Sequence, residues 1–296
     1  MTKRNQQTSL VSQETSTRQL DFLFWNIGGS DLTKEICQLV YQEDTDILMV
    51  AELGADPVEL ADTLTKRTKR PFHYVKVLGA QGYHRHVALL SAIPGLVARA
   101  TREGMTVYTV NCICGKPFLL AAAHLRSKLY QGEQDALLNA KSCADYIRDV
   151  ETEEGHQRTV LVGDLNANPF EDSVVAAEAF HGVMDPDLVL RKRRRRVRGK
   201  RYFFFYNPSW RFCGTPDGQP HGTYFYSNSC SVCHFWNMFD QVLVRPALID
   251  NFIDQSLAIV SNVRNASLLT STGRPSKGKY SDHLPLRFSL EFTQEE

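Results

Sequence analysis

The feature that most constrains this chain is a set of short apolar runs, each stopping abruptly at a polar or charged residue. Residues 20–27 (LDFLFWNI) carry Asn26 near their end and close on Gly28-Gly29. Residues 46–52 (DILMVAE) end in Glu52, residues 118–124 end in His124, and residues 159–163 run into Asp164-Leu165-Asn166. Residues 239–244 begin next to Asp240, and residues 284–292 follow Ser281-Asp282-His283. Apolar runs this short, bounded by turn residues, read as buried strands. Residues 72–78, 87–92 and 105–112 add strand-like runs.

Helix signals alternate with them. Asp31 is placed to cap a helix whose apolar side is Leu32, Ile36, Leu39 and Val40. Asp56-Pro57-Val58-Glu59 combines a capping acceptor, a proline at the first helical position and an acid in the first turn. Ala136, Ala140, Cys143, Ala144 and Ile147 recur at helical spacing within residues 131–150. Asn168-Pro169-Phe170-Glu171 repeats the start signal and predicts a helix ending near Gly182. The pattern predicts one α/β domain with mixed sheets over residues 20–296, behind a polar tail of residues 1–19. No apolar run approaches the roughly 18 residues of a membrane span. The tail lacks the apolar centre of a secretory signal, and seven cysteines is an odd number. A reducing, cytoplasmic setting is therefore expected, or a nuclear one in a eukaryotic host.

Charge is distributed unevenly. Residues 191–201 (RKRRRRVRGKR) hold 9 of the 34 lysines and arginines and no acid, leaving 25 basic side chains against 33 acidic ones elsewhere. The run lies in an aromatic, aperiodic insertion at about residues 186–237, and residues 202–206 (YFFFY) follow it at once. It reads as a solvated charge run, a nuclear address, or a phosphate-backbone contact. Tyr202–Tyr206 reads as a strand or core plug, or as a platform for stacking bases.

Strand ends are where open α/β sheets bind ligands. If the polar strand ends converge, three carboxylates and an asparagine face one pocket. Carboxylates that close repel unless a cation neutralises them. A hard divalent ion, Mg²⁺ or Mn²⁺, suits a few oxygen ligands completed by phosphate oxygens. Two histidines, His124 and His283, add phosphate donors and a proton route. Together these groups imply phosphodiester hydrolysis.

The order WNI, a strand-end Glu, HLRS, GDLNANP, FDQVLV and SDHLPL resembles the endonuclease/exonuclease/phosphatase superfamily, with its DNase I-like fold, over residues 24–292. The resemblance implies a four-layer sandwich: two packed mixed β-sheets flanked by helices. It implies that Glu52 is the principal metal ligand, with Asn26 and Asp282 near the ion. Asp164 would activate water, Asn166 would hold that water, and His283 would contact phosphate while Asp240 orients its ring. His124 would be a second phosphate contact, as in the DNase I-like and tyrosyl-DNA-phosphodiesterase-like branches. Substrate-binding positions are expected at Arg126, Ser127 and Asn168, and at Arg193, Arg194, Arg195, Arg196 and Tyr202 of the insertion.

Gly28 stands where abasic-site endonucleases usually place an acid, and HLRS replaces their tyrosine-containing motif. Signatures of inositol polyphosphate 5-phosphatases are also missing. A nuclease acting on DNA or RNA is the leading expectation, because basic and aromatic residues adjoin in an otherwise acidic chain. The alternatives are hydrolysis of a lipid or small phosphoester, and a nucleic-acid-binding relative without catalysis. Cys230-Ser231-Val232-Cys233-His234 matches a haem-attachment pattern, and with Cys213 and His221 could form a zinc site. Both readings are weak beside that of cysteines in a small apolar pocket. Asp164, Asn166 and Asn168 mimic half a calcium loop, but Pro169 and Val175 stand where glycine and glutamate are required. His84-Arg85-His86 is expected on a rim loop.

Overall fold

Phe118, Leu120 and Ala122 belong to one buried cluster and Leu119, Ala121 and Ala123 to another. A strand whose alternate residues are buried on opposite faces must lie in a sheet covered on both sides. That is the organising fact of the fold in the computed structural model, which describes residues 17–77, 87–111, 116–127, 132–214, 220–229 and 231–293.

In chain order the strands are β1 (Thr17–Asn26), β2 (Ile47–Ala51), β3 (His73–Tyr74), β4 (Ala88–Ser91), β5 (Leu96–Arg102), β6 (Met105–Val110) and β7 (Phe118–His124). Then come β8 (Thr159–Asp164), β9 (Gly182–Val183), β10 (Arg194–Val197), β11 (Lys200–Phe203), β12 (Phe205–Tyr206), β13 (Tyr224–Phe225) and β14 (Trp236–Asn237). The last are β15 (Asp240–Val244), β16 (Ala258–Ile259), β17 (Asn262–Val263), β18 (Ala266–Ser267) and β19 (Leu286–Thr293). The helices are α1 (Thr33–Gln42), α2 (Pro57–Thr68), α3 (Glu133–Glu153), α4 (Asp172–Val175) and α5 (Pro186–Lys192).

One sheet has six strands in the order β16-β19-β1-β2-β4-β3, the other seven in the order β5-β6-β7-β8-β15-β12-β9. Their inner faces share one core: Phe22, Phe24 and Phe288 of the first pack with Leu120, Val160 and Val242 of the second. The outer face of the second sheet is covered by α3 through Ala140, Cys143, Ala144 and Ile147. Helices α1 and α2 pack on each other, and α2 on β3 and β4 of the first sheet. The expected α/β four-layer sandwich of two packed mixed sheets flanked by helices is therefore what the chain forms. No helix among the described residues is long and apolar enough to cross a membrane.

Strand polarity positions the site. β1 runs parallel to β2, with Asn26 opposite Ala51, so Asn26 and Glu52 emerge at the same edge. β7 runs parallel to β8, pairing His124 with Asp164, and antiparallel β15 sets Asp240 opposite Asp164. The close approach of β7 and β8 requires the glycine of GDLN. Gly163 has φ +147°, and a Cβ there would meet the Ala123 carbonyl oxygen at 1.9 Å.

Several expectations change in the structure. Asp31 accepts from Thr33 N at 3.2 Å, but the helix starts after Leu32, so the acid makes a turn rather than the cap. The helix expected from Asn168 to Gly182 shrinks to α4. Asn168 is buried, and its side chain binds Asn237 Oδ1 at 2.9 Å and Met238 N at 2.9 Å instead of capping. β5 gave no apolar signal because its residues are mostly half-buried or exposed. Of residues 202–206, Phe204, Phe205 and Tyr206 are core.

The insertion splits in two. Residues 224–228 and 232–239 lie at the site edge, where β13 and β14 pair, whereas β10 and β11 form a separate hairpin. Tyr206 pairs with Val244, which pairs with Val160, so β12 joins the sheet at the end away from Asp164 and Asp240. Phe203 lies further out still, its carbonyl accepting from Arg245 Nη1 at 3.0 Å. The basic hairpin thus roots at the pole opposite the polar strand ends.

Candidate active site

Two buried or half-buried carboxylates are bridged by an amide. Asn26 Nδ2 donates to Glu52 Oε1 at 3.2 Å and to Asp164 Oδ2 at 3.0 Å, while its oxygen accepts from Gly28 N at 3.0 Å. His124 Nε2 lies 3.3 Å from Glu52 Oε1 and 3.9 Å from Asp164 Oδ2. His283 approaches from the other side, with Nε2 3.8 Å from Asp164 Oδ2 and Nδ1 2.8 Å from Asp240 Oδ2.

Local backbone supports each group. Trp25 Nε1 donates to His283 O at 2.9 Å, and Ser281 Oγ donates to Asn26 O at 2.6 Å, tying the SDH loop to the end of β1. His283 N in turn donates to Ser281 Oγ at 3.0 Å. Tyr224 stacks obliquely on His283 with ring centroids 4.7 Å apart. Glu52 and Asn166 both adopt left-handed backbone, at φ 52° and 48°. For a glutamate this is a strained conformation, of a kind that clusters at functional sites.

The electrostatics follow from burial and pairing. The hydrogen bond from His124 holds the Glu52 carboxyl down at about 2 against the opposing effect of burial, so Glu52 is charged. Burial opposes charging of His124, but Glu52 and Asp164 outweigh it and hold its pKa above the ordinary histidine value. Burial likewise opposes charge on His283, yet Asp240 and Asp164 push its pKa up to about 9. Burial raises the Asp164 carboxyl above the usual carboxylate range, countered in part by His283. The site is a fixed imidazolium beside a carboxylate poised to accept a proton.

These groups line a cleft of about 840 Å³, whose walls include Phe170, Tyr224, Tyr226, His234 and Phe239. Ser127, Asn166 and Asp282 also line it; Arg126 and Asn168 do not. Asn166 donates its amide to Leu125 O at 2.8 Å, leaving its oxygen as the atom able to hold water. Asp282 shares the cleft with Asn26 and Glu52 and pairs with Lys277 Nζ at 2.8 Å. Lys277 escaped sequence reading; its only signal is a basic run shortly before SDH.

The hairpin residues do not join this cleft. Arg193, Arg194, Arg195, Arg196 and Tyr202, expected at the substrate, lie towards the opposite pole: Arg195 donates to His181, and Tyr202 packs under Arg148. The length of β8 alone separates the poles by about 17 Å. Cys213 is exposed and Cys233 half-buried. Among the described residues the one cluster of metal-ligating side chains is Asp164, Asp240 and His283, so Cys213, Cys233 and His221 form no zinc group there. Cys230 and His84-Arg85-His86 lie outside the described residues.

In that cluster the ligand atoms all lie within 4.8 Å of one another. Asp240 Oδ1 is buried without a hydrogen-bond partner among the described residues. Two carboxylates, one with an unsatisfied oxygen, and a histidine nitrogen fit a divalent cation only when the imidazole is neutral. The grouping differs from the expected Glu52, Asn26 and Asp282, and Glu52 reaches it through Asn26.

The Endonuclease/Exonuclease/phosphatase family model matches residues 23–283. No curated protein matches. Among solved structures, an endonuclease/exonuclease/phosphatase family protein from Bacteroides thetaiotaomicron superposes with TM-score 0.55 at 15% identity, covering 94% of this chain and 97% of that one. D. rerio TDP2 complexed with single strand DNA product gives 0.53 at 16%, covering 92% and 98%. The endonuclease domain of TRAS1, a telomere-specific non-LTR retrotransposon, gives 0.50 at 12%, covering 92% and 98%. At these identities the superpositions establish the fold.

Proposed function

This chain belongs to the Endonuclease/Exonuclease/phosphatase family, and from that premise we propose that it hydrolyses phosphodiester bonds of DNA or RNA with Mg²⁺ or Mn²⁺. Membership accounts for the general kind, a phosphoester hydrolase. The observation that carries the finer reading is the convergence of Glu52, Asp164, His124 and the His283–Asp240 pair at one edge of the sandwich. Glu52, Asn26 and Asp282 are the residues that would hold the cation, since a protonated His283 has no lone pair to offer it. When bound it would neutralise phosphate charge and lower the cost of charge on the leaving oxygen.

The remaining steps belong to the chain's own side chains. Asn166 Oδ1 positions a water, and Asp164 takes its proton as attack proceeds in line. The His283 imidazolium, held by Asp240, binds a non-bridging phosphate oxygen and stabilises its developing charge. His124 binds the other flank. Phe170 and Tyr226, both exposed at the cleft, offer faces on which bases stack, while Tyr224 and Phe239 are stacked on each other. This aromatic lining supports nucleic acid, as does the family likeness to proteins described as an endonuclease and as a TDP2 bound to single strand DNA product.

A second reading, hydrolysis of a lipid or small phosphoester, is favoured by the removal of the basic segment from the cleft. The test is incubation with labelled DNA, RNA and a phosphoinositide in Mg²⁺ and then EDTA. Cation-dependent cleavage of a nucleic acid supports the proposal; turnover of the phosphoinositide alone overturns it.

A further inference from the structure

Residues 191–201 gather nine positive side chains on and around one exposed hairpin, and none of them forms an ion pair with a carboxylate among the described residues. In a chain otherwise richer in acids than bases, that is an unneutralised positive prominence. The hairpin is also built to stand out. Its root is closed by Phe204 N donating to Arg193 O at 3.0 Å, and it is bolted to the sheet by buried Arg245. Arg245 binds Phe203 O at 3.0 Å, lies 3.8 Å over the Phe205 ring, and is neutralised by buried Glu151 at 2.8 Å. A second anchor is Arg195 Nε donating to His181 Nε2 at 3.1 Å.

Register distributes the charge. Arg196 is opposite Arg201 on one face, and Val197 is opposite Lys200 on the other, so both faces and the Arg198-Gly199 tip present cations. The aromatics are not free for bases: Tyr202 is capped by the Arg148 guanidinium at 5.6 Å and Phe203 by that of Arg194 at 5.6 Å. Val197, the only aliphatic side chain on the two strands, is half-buried, so the hairpin has no apolar anchor for a bilayer. Cations on both faces of a two-stranded ribbon suit the phosphates flanking a duplex groove.

We infer that the β10–β11 hairpin is a second nucleic-acid surface, which grips the phosphate backbone of a duplex at the pole opposite the cleft. It is a tether rather than a substrate clamp: the duplex segment it holds is not the segment being cut. The choice of nucleic acid among polyanions rests on the reading of the cleft.

The test compares wild type with R198Q/K200Q/R201Q, which removes tip charges while leaving the Arg195, Arg194 and Arg245 anchors in place. Affinity for a duplex of about 30 base pairs, roughly 100 Å long, is measured by anisotropy in EDTA across a salt series. The variant is expected to bind about tenfold more weakly at low salt, with a salt slope reduced by between about 2 and 3. The R198K/R201K variant should keep the wild-type slope. Turnover of a small chromogenic phosphodiester with Mg²⁺, and the thermal midpoint, should be unchanged in both variants. An unaltered slope in R198Q/K200Q/R201Q overturns the inference, as does lost binding to phosphatidylserine vesicles with duplex binding intact. Failure of the wild type to cleave any nucleic acid, with the slope still reduced, removes the cleft reading and leaves the surface.

Discussion

At the scale of single residues, the site assigns different work to three acids by their surroundings. Glu52 is held ionised by His124, Asp164 is pushed towards neutrality by burial, and Asp240 is spent on His283. Asp164→Asn should keep the fold and substrate affinity but lower kcat by about 10³-fold, the scale of a lost general base. Single-turnover rates and a thermal melt check both halves of that statement. Asp240→Asn should release His283 from its pKa of about 9 towards the ordinary 6.5, seen by NMR titration of the imidazole. With the charged form then lost at lower pH, activity should decline between pH 7 and 9, where wild type still carries the cation. Glu52, Asp164 and His283 were legible in the sequence because each borders an apolar run. Lys277 was not, because one lysine of a basic loop is not set apart from its neighbours until the fold places it 2.8 Å from Asp282.

At the scale of elements, start signals were reliable where nothing else competed for the capping group. Asp56 caps α2 through Val58 N at 2.8 Å, as its sequence predicts. Asn168 stands in the same local pattern, yet its amide and carbonyl bridge to Asn237 and Met238, and the helix behind it is lost. A tertiary partner outbid a local one, and no window of sequence contains both. The hairpin anchor gives an acid-sensitive element. Burial, and then the Arg195 charge, hold the His181 pKa down at about 4 against an ordinary 6.5. A folded-state value below the unfolded one means the native state prefers the neutral ring. Its stabilisation is complete above about 6.5 and drains away as pH falls towards 4. Denaturant unfolding at pH 7 and pH 4.5 should differ by on the order of 2 kcal/mol more in wild type than in His181→Gln.

At the scale of the whole molecule, two mixed sheets share a core, and the polarity of β1, β2, β7, β8 and β15 delivers every polar strand end to one rim. Convergent carboxylates repel when the cation is absent, so Mg²⁺ or Mn²⁺ should raise the thermal midpoint of wild type, with the logarithm of its concentration once above the dissociation constant. Glu52→Gln should blunt that rise, and calorimetry with and without EDTA reads it directly. The alternation of strands and helices disclosed the sandwich, and the family likeness disclosed its layers. Neither disclosed that the insertion sends its basic half to one pole and its aromatic half to the other. That depends on where β12 enters the sheet, and its Tyr206–Val244 pairing is invisible in sequence.

Because the hairpin closes on itself at Arg193 and Phe204 and meets the sandwich through a few side chains, the buried Arg245 and the Arg195–His181 bond foremost, it behaves as an interchangeable fitting. A ribbon of equal length with a different surface could be installed on the same mount, giving the molecule a new address while its chemistry at the far rim stays as it is.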